Sequence, residues 1–136
     1  MADIENKNII LAKKAYIALN TVRGLKEAIP EKPPIRVGEQ IAGQMNALLD
    51  EVREIFSIDK IFKESIAHIH NLLYKYEPGG VSDGDGVVAM WGESDNGIQI
   101  VSQAKILLAE LKAKLESFVS LYMSEKEKEK IGFHLS

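Results

Sequence analysis

Histidines and carboxylates are the side chains from which this chain could build a metal or acid–base site, because its 136 residues include three histidines, twenty acidic residues and no cysteine. Thiolate nucleophiles, thiolate metal ligands and disulfides are therefore absent. His68 and His70 stand two apart in a helical pattern, about 200° around the axis, and cannot share one metal ion from that helix. Glu64 and His68 are four apart and share a face, which makes a surface hydrogen-bonded pair rather than a ligand set. The stretch Gly38-Glu39-Gln40-Ile41-Ala42-Gly43-Gln44-Met45 has the glycine spacing of a phosphate-binding loop. Gln44 stands where the phosphate-contacting lysine belongs and Met45 where the magnesium-binding hydroxyl belongs, so the spacing serves close helix approach at Gly38 and Ala42 instead. Asp83-Gly84-Asp85-Gly86 opens like a calcium loop, and Asp83 and Asp85 are the weak metal candidates of the sequence. Val87, Val88 and Ser94 then occupy the positions of the remaining ligands and the turn glycine, so no metal or other cofactor is expected.

One carboxylate cluster carries a second reading. Asp50-Glu51-Val52-Arg53-Glu54 resembles one half of the paired acidic motif of the all-α nucleoside triphosphate pyrophosphatases. Members of that family hold magnesium between carboxylates on two antiparallel helices. The resemblance implies Glu51 and Glu54, with Asp50, as catalytic metal ligands of a magnesium-dependent nucleotide hydrolase. It covers five residues, and the next expected helix offers Glu64-Ser65-Ile66-Ala67-His68 where two spaced carboxylates would complete the site.

Hydrophobic periodicity supplies the elements that must position these groups. Leu11, Ala15, Ala18, Val22 and Leu25 step by four and three and predict a helix over about 8–28, broadened by Ile10, Tyr16, Ile17 and Leu19. Pro30, Pro33 and Pro34 end it and make a stiff connector. Ile41, Met45, Leu48, Val52 and Ile55 predict a second helix over 37–56. Phe62, Ile66, Ile69, Leu73 and Tyr76 extend the same period over 58–76, with Ser57 or Asp59 as cap. Val101, Ala104, Leu108, Leu111, Leu115, Phe118 and Tyr122 alternate steps of three and four and predict a last helix over 98–124, capped by Ser94, Asp95 or Asn96. The alternating Glu–Lys run beyond it reads as a frayed tail over 125–136. The fold class expected is all-α, an antiparallel four-helix bundle forming a single domain.

Residues 77–97 do not fit a bundle. Six of the ten glycines fall there, with Glu77, Asp83, Asp85, Glu93 and Asp95 and no basic residue. The segment thus carries −5 and the remainder +2 of the net −3. At its centre Val87-Val88-Ala89-Met90-Trp91 is an apolar run containing the sole tryptophan. Such a run leaves water either by folding back as a short strand or hairpin or by meeting a partner. The function expected is therefore non-enzymatic: a protein-interaction or structural bundle that self-associates, with Val87, Val88, Met90 and Trp91 as partner-binding residues. The protein partner is another protein or a second copy, giving a homo-oligomer. The acidic balance points away from nucleic acid. The N-terminal stretch lacks a signal-peptide pattern and no run of about 20 apolar residues exists, so a cytoplasmic protein without a membrane partner is expected.

Overall fold

The computed structural model of the chain describes residues 2–84 and 87–131, with side-chain surroundings for 8–79 and 92–130. It is mostly helical. In chain order the elements are α1 (Ala2–Ala28), α2 (Val37–Phe56), α3 (Lys60–Ser65), β1 (Tyr76–Glu77), β2 (Gly80–Gly84), β3 (Val87–Trp91), β4 (Ser94–Asp95), α4 (Gly97–Tyr122) and α5 (Glu125–Ile131).

Three long helices, α1, α2 and α4, pack pairwise and share one core. The seam read from sequence on α4 is buried from Val101 through Phe118, and Tyr122 is partly covered. Helix α2 buries Ile41, Met45, Leu48, Val52 and Ile55, the predicted stripe. Helix α1 turns Ala12, Ala15, Ala18, Leu19 and Val22 inward, and the three alanines let it lie close to α4. Of the residues that broaden its apolar face, Leu19 is buried and Tyr16 packs against the core, while Ile10 and Ile17, seven apart, stay 54% and 60% exposed.

The helix expected over 58–76 is corrected by the structure. Helix α3 stops at Ser65, and residues 71–75 carry no helical turn. Asp59 caps the short helix, accepting from Ile61 N and Phe62 N. Beyond it the backbone finds side-chain partners that replace a helical ladder. Asn46 of α2 clamps Leu72 on both sides, donating to its carbonyl at 3.0 Å and accepting from its N–H at 2.7 Å. Arg53 donates to the Ile69 carbonyl at 2.9 Å and to Asn71 Oδ1 at 2.8 Å. Asn96 receives Lys75 N at 2.8 Å and donates to the Leu73 carbonyl at 2.8 Å. With the backbone extended, burial alternates, so that Leu72 is buried and Leu73 is 71% exposed. The fourth wall of the expected four-helix bundle is thus an extended strap, laid over α2 and held by amide and guanidinium groups.

The tail is also more ordered than expected over 125–131. Ser124 Oγ accepts from Glu127 N at 3.2 Å, and the Lys128–Glu125 and Lys130–Glu127 pairs span α5 at 3.2 and 3.8 Å. Residues 132–136 lie outside the described residues.

Candidate functional site

The acidic, glycine-rich segment forms a two-stranded antiparallel ribbon. Tyr76 pairs with Asp95 and Glu77 with Ser94, and Gly80 pairs with Trp91 through to Gly84 with Val87. Both sets keep one register, so β1–β4 and β2–β3 are the base and the arm of a single hairpin. Pro78, which has no N–H to give, and Gly79 interrupt the ladder between them. The connection at the tip is the pair Asp85-Gly86, which lies outside the described residues. Asp-Gly is the dipeptide favoured in two-residue hairpin loops, and this was the signal in the sequence that could have located the strands.

The base of the ribbon is fixed by one carboxylate. Asp95 Oδ2 accepts from Arg36 N at 2.8 Å and from the Tyr74 hydroxyl at 2.8 Å, and Oδ1 accepts from Gly97 N at 2.9 Å. The amide of Arg36, then Tyr74, then the amide of Gly97 hold Asp95 below the usual carboxylate range. Burial and donation to Asp95 push Tyr74 up to about 12. Arg36 precedes α2 with φ 77°, a left-handed conformation unusual for a residue with a side chain, and its captured amide helps hold it there. Its guanidinium donates to the Tyr76 hydroxyl at 2.9 Å, lies 4.6 Å from the Tyr76 ring centre and stands 3.6 Å from Glu93. Tyr76 in turn donates to Glu93. Sequence spacing gave no notice of this network, because its members come from the connector, the strap and both ends of the ribbon.

A second tyrosine–aspartate pair closes the far end of the bundle. Tyr122 donates to Asp59. That bond, reinforced by the Phe62 and Ile61 amides, lowers Asp59, while the same bond and burial push Tyr122 up to about 12. Both carboxylates contribute stability that is complete above about pH 4 and is lost as pH falls through their lowered values. Both tyrosines contribute stability that is complete below about pH 10 and is lost as pH rises toward 12. Alkaline titration followed by tyrosinate absorbance should therefore show late ionisation, accompanied by loss of helical signal, that Tyr74→Phe and Tyr122→Phe each diminish. A late component unchanged in both variants would remove both anchors.

The other sequence candidates are placed as follows. Asp50, Glu51 and Glu54 are exposed on α2, and Asp50 is engaged by Arg53 at 3.2 Å. The segment expected to oppose them as a helix is the strap, which brings Asn71 and a backbone carbonyl to Arg53. Among the described residues no three His, Asp or Glu side chains converge as a metal site. His68 pairs not with Glu64 but with Glu110 of α4 at 2.9 Å, since the helix that would align it with Glu64 has ended. Gly38 makes the close approach expected of it: an added Cβ would lie 2.9 Å from Gly97 Cα. Asp83 pairs with Val88 in the ladder, and Asp85 lies outside the described residues. Val87, Val88, Met90 and Trp91 all stand on β3, whose side-chain surroundings lie outside the described residues. Their register positions alternate, with Val88 and Met90 on one face of the ribbon and Val87 and Trp91 on the other.

The chain matches no known protein family, no curated protein and no solved structure. Among the described residues no helix is long and apolar enough to cross a membrane.

Proposed function

We propose that this protein is a non-enzymatic, self-associating interaction module whose contact segment is the ribbon spanning 77–97. The observation that carries the reading is that β2 and β3 form a sheet of two strands while their base is riveted through Asp95 and Asn96 to Arg36 ahead of α2, to Lys75 of the strap and to the first residue of α4. An isolated two-stranded hairpin is marginal in water. A firmly mounted one with one strand uncharged and apolar is suited to being completed by something else. The outward Ile10 and Ile17 of α1 add a second apolar surface of the kind that assemblies cover. A cysteine-free chain is compatible with the reducing cytoplasm, where we place it.

Trp91→Ala tests the reading. Sedimentation of the native protein should show a mass above that of one chain, and the variant should associate about tenfold or more weakly. Its circular dichroism and thermal midpoint should match those of the native protein. A native protein that sediments as a monomer, with a variant that loses helicity and stability, makes Trp91 a core residue and ends the contact reading.

A further inference from the structure

The two edges of the ribbon are not alike. Along β2 and its approach run Pro78, Gly79, Gly80, Ser82, Asp83 and Gly84, the proline, glycine and charge that discourage strand addition. Strand β3 reads Val-Val-Ala-Met-Trp, with no charge, glycine or proline in five residues. Among the five paired residues of each strand every such device is on β2, and Gly92 and Glu93 follow β3 opposite Gly79 and Pro78.

The register also fixes which backbone groups point to the open edge of β3. A two-residue connection makes Gly84 and Val87 the pair that exchanges hydrogen bonds across the turn. Bonded and non-bonded pairs then alternate, so Ala89 and Trp91 also direct their N–H and C=O groups at β2. Val88 and Met90 direct theirs outward, where among the described residues the two-stranded sheet has no further strand.

We infer that a second copy of this chain docks here, β3 against β3 in antiparallel register about Ala89, producing a four-stranded sheet with a two-fold axis. This rests on the reading of the ribbon as the self-contact segment and names its geometry. In that register Val88 of each copy exchanges both backbone bonds with Met90 of the other, which satisfies the outward groups on both strands. The strand is complementary to itself in size: Trp91 falls opposite Val87 of the second copy, and an aromatic facing a β-branched residue is a favourable cross-strand pair. Within the five paired residues of β3 no charge meets a charge, whereas pairing through β2 would bring Asp83 of both copies to the shared edge. The contact is isologous, so it closes as a dimer and leaves the protected β2 edges outside.

The absence of native cysteine makes the register directly readable. Ala89 meets Ala89 of the second copy as a non-hydrogen-bonded pair with Cα atoms about 4.5 Å apart, within disulfide reach. Single variants Ala89→Cys, Met90→Cys and Ser82→Cys are oxidised under mild conditions in the otherwise unaltered chain. Rapid, near-complete cross-linking of Ala89→Cys alone is expected. Cross-linking of Ser82→Cys instead places the shared edge on β2 and overturns the inference. Val88→Pro provides an independent arm, since it removes an outward N–H while leaving the β2–β3 bonds in place. It should halve the sedimenting mass with helical signal unchanged. If Val88→Pro stays associated and Ala89→Cys does not cross-link, while Trp91→Ala still dissociates, the edge geometry fails and the ribbon reading stands. If none of these variants alters association, or the native protein is a monomer, both fail.

Discussion

Phe118→Ala is expected to lose about 3–5 kcal/mol of folding stability, the largest effect of any single truncation considered. Phe118 is fully buried and joins three elements. Its ring stacks on Phe56 of α2 at 5.2 Å between centroids, meets Phe62 of α3 edge-on at 5.1 Å and lies 4.6 Å from Tyr122. Truncation removes the transfer free energy of the ring and the aromatic contacts together, and leaves a cavity that helices pinned at both ends cannot readily close. It also removes the surface that aims Tyr122 at Asp59. For a chain of this size the loss corresponds to a fall of roughly 10–18 °C in thermal midpoint. Phe118→Leu, which keeps much of the volume, should lose less than half as much. Chemical denaturation of both variants checks the expectation, and a loss below about 1 kcal/mol for the alanine would contradict this packing.

Gly38→Ala and Gly43→Ala should change stability in opposite directions although both lie in α2. At Gly38 a methyl group would sit 2.9 Å from Gly97 Cα and 3.3 Å from Tyr74 Cε2. The first neighbour is backbone and cannot swing aside, so α2 and α4 must part where they hold the ribbon. Overpacking of this kind costs about 1–3 kcal/mol, and here it also disturbs Tyr74 and Asp95. At Gly43 nothing lies within 4 Å, and alanine should stabilise the helix by about 0.5–1 kcal/mol. Paired urea titrations decide the matter. Two losses, or two gains, would show that the approach of Gly38 to Gly97 is not what separates the two positions.

Glycine spacing was thus legible in the sequence as helix approach, though not which element approached. Helices α2 and α4 were legible because their apolar stripes coincide with what the core buries, and for α2 the expected bounds are those observed. The strap was not. Phe62, Ile66, Ile69, Leu73 and Tyr76 fit a helical period, yet Leu73 is exposed, and the backbone there is held by Asn46, Arg53 and Asn96. Periodicity records which residues want burial; it is silent about polar side chains from distant elements that offer the backbone other partners. The ribbon was half legible. Its composition marked 77–97 as foreign to a bundle, and Asp85-Gly86 carried the turn, whereas the Asp95 rivet depends on residues 59 positions apart in the chain.

The chain leaves the bundle at Tyr76 and returns at Asp95, directly opposite, with Lys75 and Asn96 bonded to each other just beneath. Whatever lies between these positions is a cassette. Its length can change, or its sequence be exchanged, without moving the ends by which the helices grip it. The change must come in matched increments of two residues on each strand, because a single step would turn every following side chain to the opposite side. The helical part of this protein is in that sense a mount. The sequence of what it holds can change while the Asp95 socket and the core beneath remain constant.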